Sequence, residues 1–290
     1  MSDFKLMTDS TSDLLPEIAE KFDIGVVPTD VTVGGETYLD FPDERELKKR
    51  DFYAMVRAGE MPKTAVINPE RFINYFEPVL KDGFDILYLV FSSGLTTTMQ
   101  NAMIAAGDLA EKYPDRTVTV VDTKSATLGE GMLVYHAAQK KAEGLSKEEI
   151  AAWVEKNRLK VCHWFTVDDL GYLKRGGRIT GTAAAIGGVL NVKPVMHVND
   201  DGKLEPVSKA RGRKAAMEEL LLRMKETGID LANQTVFVSH GDAEEDCNWI
   251  VKEIKSRFGV KKVFTNFIGP VIGAHSGPGT LAVFFFGTQR

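Results

Sequence analysis

Apolar and polar positions follow two different rhythms along this chain. Residues 4–8 form a short apolar run that predicts a buried strand. Asp9-Ser10-Thr11-Ser12-Asp13 comes next, side chains that cap free backbone N–H groups, so a helix is expected over 15–22. Residues 24–33 are β-rich, and Gly34-Gly35 turns them back into 36–39, a small β excursion within 24–60. Helices are predicted over 52–57 and 70–80, with Pro62-Lys63-Thr64-Ala65 as the break between them. The run 84–91 is apolar almost throughout, the signature of a strand buried on both faces. The helix after it carries Met99, Ala102, Met103, Ala106, Leu109 and Ala110 at helical spacing. A strand over 117–121 and a helix over 127–143 complete the series. Strand and helix alternate, which predicts a mostly parallel sheet flanked by helices.

The rhythm changes near Gly144. A helix over 147–156 and a strand over 162–167 lead into 181–190, rich in Ala and Gly. A hairpin then pairs 194–198 with 203–208 across Asn199-Asp200-Asp201-Gly202. Helices over 213–227 and 245–258 alternate with strands over 235–239 and 262–267. A glycine-rich loop over 269–279 leads to a last strand, 281–286. The fold class expected is therefore α/β in two lobes. Residues 1–155 form an N-terminal lobe with a mostly parallel sheet, and residues 156–290 form a C-terminal α+β lobe.

Composition narrows the class. The chain has 290 residues, 43% hydrophobic and 27% charged, enough apolar material for two cores. Its net charge of −5 argues against a nucleic-acid binder. Cys162 and Cys247 show no zinc-ligand spacing, so no metal is expected and a reducing, cytoplasmic setting is. No run reaches the roughly 20 apolar residues of a membrane span, and the charged residues 1–9 do not read as a signal peptide. Contact with a membrane would be transient.

Five segments carry candidate chemistry. Asp9 and Ser10 stand after the first strand, and Ser92 and Ser93 after the strand 84–91. Ligands of parallel sheets collect at such carboxyl ends, although both segments read equally as helix caps. His275 lies within Ile268-Gly269-Pro270-Val271-Ile272-Gly273-Ala274-His275-Ser276-Gly277-Pro278-Gly279, close-packed enough to fix an imidazole toward an oxyanion. Arg175, Arg178 and Arg211 belong to two basic clusters, which are either solvated faces or docking surfaces for an acidic partner.

Taken together and in order, these segments resemble the DegV family, the fatty-acid-binding proteins that include the FakB subunits of bacterial fatty acid kinase. The segments that carry the resemblance are Asp9-Ser10-Thr11-Ser12-Asp13-Leu14, Ser92-Ser93-x-Leu95, residues 122–131, Leu173-Lys174-Arg175-Gly176-Gly177-Arg178, Asn191-Val192-Lys193-Pro194, Lys209-x-Arg211 and His275-x-Gly277-Pro278-Gly279. The resemblance implies a long-chain fatty acid between the two lobes, in an apolar tunnel, its carboxylate held by Thr64, Ser93 and His275, with Asp9, Ser10 and Ser92 beside them. It also implies a separate kinase catalytic subunit that phosphorylates the bound carboxylate with ATP. This chain would then be a carrier with no catalytic residues and no cofactor, and Arg175, Arg178 and Arg211 would dock the partner or tie the lobes. Where the family commonly has Leu-Ser-Gly-Thr-Tyr-Gln, this chain has Leu95-Thr96-Thr97-Thr98-Met99-Gln100.

The physics of such a ligand is consistent. A tail of about 15 CH₂ groups at roughly 0.8 kcal/mol each gives about 12 kcal/mol gross on burial, while a buried carboxylate needs a ring of donors. The small residues 182–189 offer room for a tail or for close helix packing. Two other readings remain: a serine hydrolase of acyl esters, with Ser93 as nucleophile and His275 as base, and a carrier of another amphiphilic acid.

Overall fold

The computed structural model describes residues 3–179, 191–288 and 290. The Ala/Gly-rich stretch 181–190, and with it the tail space expected at 182–189, lies outside the described residues.

In chain order the first part runs β1 Phe4–Asp9, α1 Pro16–Lys21, β2 Gly25–Val27, β3 Asp30–Val33, β4 Glu36–Leu39, α2 Lys49–Arg57, β5 Lys63–Thr64, α3 Pro69–Lys81, β6 Asp85–Val90, α4 Thr98–Lys112, β7 Val118–Asp122, α5 Leu128–Ala142 and α6 Lys147–Asn157. The second part runs β8 Val161–Thr166, α7 Leu170–Arg175, β9 Val192–Val198, β10 Leu204–Arg211, α8 Arg213–Thr227, β11 Thr235–His240, α9 Glu244–Phe258, β12 Lys262–Phe267, α10 Pro270–Ser276 and β13 Leu281–Phe286.

Three sheets result. The first has the order β2-β1-β6-β7, and its pairings are parallel. The second, β10-β9-β8-β13-β11-β12, is antiparallel except for β11 against β12. The third is the small antiparallel sheet β4-β3-β5. The fold is thus α/β, a parallel sheet with a separate mixed sheet.

Alternation along the strands decides what packs where. On β6, Ile86, Tyr88 and Val90 face Phe72, Phe76 and Leu80 of α3, while Leu87 and Leu89 face the layer that holds Leu128, Met132 and Leu133 of α5. Tyr88 meets Phe72 and Phe76 edge-on at 5.4 and 5.3 Å, geometry that aromatic rings prefer. Helix α5 has apolar side chains on nearly every side because it is sandwiched between the first and second sheets. Its core also takes in Phe237 and Phe284 of the second sheet. The far face of the second sheet, with Trp164, Val283 and Phe285, packs against α8 and α9 through Leu220, Met224, Ile250 and Ile254.

Two expectations are corrected. The break at 62–65 contains a strand: Lys63 and Thr64 pair with Thr32 and Val31 of β3. The loop expected over 269–279 contains α10. Pro270 stands at its first position, where a fixed φ suits a helix and no N–H is needed. Gly277, at φ +78°, ends it in a conformation that glycine adopts freely. Glycine-rich composition read as loop because these two terminators crowd a helix of only two turns.

Candidate functional site

Helix α10 belongs by sequence to the second part of the chain but packs on the small sheet, in one core with Val31, Val33, Phe52 and Tyr53. Tyr53 Oη donates to the Ile268 carbonyl at 2.9 Å, and Gly269 N donates to Asp13 Oδ1 at 2.8 Å. These bonds hold the start of α10 against α2 and the loop after β1. The last turn of α10 then brings His275 to β5, where its Nε2 lies 2.8 Å from Thr64 Oγ1.

Beside this pair opens a cavity of about 680 Å³. Most of its wall is apolar. Phe165, Ala282 and Phe284 come from the inner face of the second sheet, Phe91 and Ala126 from the carboxyl ends of the first, and Ile272 from α10. Thr64, His275, Arg175 and Arg178 are among its polar lining residues.

Burial, and then the positive charge of Arg178, push the His275 pKa down to about 4, so the ring is neutral at neutral pH. Its Nδ1 is buried and meets no hydrogen-bond partner among the described residues. Gly176 lies flat against it, since a Cβ there would come within 2.3 Å of Nδ1. With Nε2–H donating to Thr64 Oγ1, the threonine hydroxyl is free to donate onward to an acceptor. Arg178 is half-buried, its guanidinium pKa lowered by burial, and Nη1 donates to the Gly176 carbonyl. Arg175 lies over the Tyr172 ring at 4.5 Å. This edge of the cavity therefore offers a hydroxyl, an imidazole and cationic groups to an anion.

The other residues singled out in the sequence fall in different places. Asp9 lines the cavity and is fully buried. Burial raises its pKa, opposed by bonds from the Thr11 hydroxyl, Phe91 N, Tyr88 Oη and Thr11 N. These donors occupy both of its oxygens. Ser10 Oγ accepts from Thr29 N at 3.1 Å. Ser92 Oγ donates to the Gly202 carbonyl at 2.8 Å, and exposed Ser93 donates to Asp122 Oδ2 at 2.5 Å, with Lys124 Nζ 2.9 Å away. Ser10, Ser92, Ser93 and Arg211 are not among the described residues that line the cavity. The structure thus brings together Thr64, His275, Arg175, Arg178 and Asp9. It sets Ser93 with Asp122, so the Ser93–His275 pairing that a hydrolase needs is not formed. Among the described residues, no group of three or more His, Cys, Asp or Glu is arranged to hold a metal ion.

From the sequence Arg178 was a candidate for partner docking or for tying the lobes, and Thr96 and Thr98 were not among the candidate site residues. Both threonines line the cavity, their hydroxyls 2.9 Å apart. The threonine run at 96–98 was the available signal.

A family profile described as "Uncharacterised protein, DegV family" matches residues 3–288. The chain belongs to the DegV family. A DegV domain-containing protein of Clostridium perfringens is 44% identical over 290 residues, 100% of this chain and 99% of the relative. Solved DegV structures share the fold. A DegV family protein from Thermus thermophilus, described for its fatty acid binding, superposes with a TM-score of 0.86 at 34% identity, covering 99% of this chain and 100% of that one. A stearic acid-binding protein from Eubacterium ventriosum gives 0.86 at 28% identity, covering 97% of both chains. Among the described residues, no helix of this DegV chain is long and apolar enough to cross a membrane.

Proposed function

We propose that this DegV protein holds a long-chain fatty acid in the cavity, with the carboxylate at Thr64, His275 and Arg178 and the tail along the apolar wall. One observation carries the reading: the Thr64–His275 bond and the Arg178 guanidinium stand at the edge of an otherwise mostly apolar cavity of about 680 Å³. Fatty acid binding by the Thermus and Eubacterium relatives supports it. A neutral imidazole suits the task, since it orients Thr64 without adding a second charge to that of Arg178.

On this reading the protein is a cytoplasmic carrier without catalysis of its own. It presents the carboxylate to a separate ATP-dependent fatty acid kinase for acyl-phosphate formation. The lobes are 1–155 and 156–290. Exposed Arg175, at the cavity edge, and Arg211, on the edge strand β10, are the arginines assigned to docking. Ser93, exposed and bonded to Asp122, and Ser92, buried and bonded to the Gly202 carbonyl, are not assigned to the carboxylate.

The test is native mass spectrometry of the purified protein, followed by organic extraction and identification of what co-purifies. The expected result is one equivalent of fatty acid, diminished in Thr64→Ala and unchanged in Ser93→Ala. A protein that is empty and takes up no added fatty acid sinks the reading. Reversal of charge at Arg175 or Arg211 is expected to spare binding and lower phosphorylation by the kinase; equal loss of both removes the docking role.

A further inference from the structure

Lining residues follow the inner face of the second sheet from Thr280, beside the helix that carries His275, to the tip of the β9–β10 hairpin. Thr166 pairs with Leu281 and with Val195, so Val195 marks the His275 end of strand β9. From there β9 runs three residues, about 10 Å, to Val198. Thr280, Ala282 and Phe284 line the cavity in that direction, and Phe286, next on the same face, is not among the described residues that do. Val198 and half-buried Leu204, paired across the hairpin, line its far end.

The turn of this hairpin, 199–202, rests on the loop that follows β6. Buried Ser92 Oγ accepts from Gly94 N at 3.2 Å and donates to the Gly202 carbonyl at 2.8 Å. The two backbones touch there. A Cβ on Gly94 would lie 2.4 Å from the Asp201 carbonyl oxygen, and one on Gly202, at φ +77°, would lie 2.1 Å from Ser92 Oγ. Leu95 and Thr96, directly after Gly94, also line the cavity. Cavity wall therefore comes from both sides of this seam, and Ser92 joins the sides. A second tie is longer: Arg290 Nη1 donates to the Asn199 carbonyl at 3.4 Å, from a guanidinium that also holds the Val161 and Lys124 carbonyls.

The tip is stiff within itself. Asn199 N donates to the Lys203 carbonyl and Gly202 N to the Asn199 carbonyl. Its attachment to the sheet is weaker. Strand β10 stands at the end of the sheet order, and its register against β9 shifts between Pro206 and Ser208. A bulge leaves backbone groups unpaired and lets a strand bend. Leu204 and the turn lie on the tip side of this bulge.

We propose that the clasp between Ser92 and the hairpin tip closes the cavity at the methyl end of the ligand and sets the longest acyl chain the protein accepts. This deepens the fatty-acid reading and rests on it. The carboxylate end fixes direction. A tail gains affinity with each carbon it buries until its methyl group meets Leu204, and a longer tail must buckle or push the tip off the Ser92 loop.

In the experiment, delipidated full-length protein is given stearate in competition with laurate, myristate, palmitate, arachidate or behenate, and the bound acids are extracted and quantified. In wild type, affinity should rise about fourfold per carbon up to one length and fall beyond it. Ser92→Ala removes the clasp and leaves the lining residues in place. Excess carbons then pass out through the seam, and the fall becomes a plateau. Leu204→Phe keeps the clasp and should move the maximum to a shorter acid. A wild-type series without a maximum, a fall that persists in Ser92→Ala, or a maximum unmoved in Leu204→Phe overturns the inference and leaves the fatty-acid reading standing. Protein that binds none of the acids overturns that reading, and this inference with it. Leu204→Phe decides the matter if Ser92→Ala fails to fold.

Discussion

Replacing Thr64 by valine keeps the shape of the residue and removes the hydroxyl that His275 Nε2 meets at 2.8 Å. Two groups lose a partner at once, the imidazole nitrogen and the ligand carboxylate. Removing one side of a buried hydrogen bond costs about 1–3 kcal/mol, about five- to 150-fold in Kd. The tail is untouched by the change. Each CH₂ contributes about 0.8 kcal/mol, so lengthening the ligand from palmitate to stearate is worth about 1.6 kcal/mol, or about 15-fold. The two effects are separable by titration calorimetry with both acids. The Thr64→Val protein should bind each acid more weakly by the same factor, with the ratio between acids preserved. Unchanged affinities would refute the placement of the carboxylate at Thr64. A changed ratio would show that the tail, rather than the head group, runs past this residue.

Three further outcomes follow from buried groups. His275 and His136, each held at about 4 by burial, are neutral in the folded protein and titrate near 6.5 when unfolded. Their contribution to stability is whole above pH 6.5 and is lost as the pH falls toward 4. Denaturant melts of wild type, His275→Gln and His136→Phe should show the acid slope flattened in each variant; an unchanged slope refutes the assignment. Asp13 has the opposite sign. Burial raises it to about 7, so its contribution is present below about 3.8 and lost as the pH rises through 7. Asp13→Asn should therefore gain on wild type across that window, and parallel curves would count against it. Burial also pushes the Cys162 and Cys247 thiols up to about 11 and about 12. Neither should react with a thiol reagent at pH 8 until the protein unfolds, and fast labelling of native protein would contradict their burial.

How much of this was legible in the sequence depends on the range of the interactions involved. Strand β6 and helix α4 could be read because an apolar run and a 3.6-residue period are local patterns. Pairing Thr64 with His275 could not come from periodicity, since 211 residues separate them; only resemblance to a family put both in one site. The same resemblance set Ser93 beside them, whereas the chain bonds Ser93 to Asp122. Arg178 shows the limit from the other side. In sequence it is one more cation in a basic cluster, and its place on the cavity wall depends on the turn at Gly176-Gly177 that carries it past His275.

Strand β13 comes late in the chain but lies inside the second sheet, between β8 and β11. Helix α10, which precedes it, covers the apolar face of a small sheet made some 200 residues earlier. During synthesis the N-terminal elements can fold as they emerge. Val31, Phe52 and Tyr53, however, stay without their cover until α10 arrives, and the second sheet stays split until β13 is inserted. Both halves are thus completed by one short stretch of polypeptide, which also delivers His275. A ribosome that stalls before that stretch releases a product with open sheet edges and bare apolar surface, which aggregates or is degraded. The cavity wall that carries His275 is therefore acquired in a single closing step.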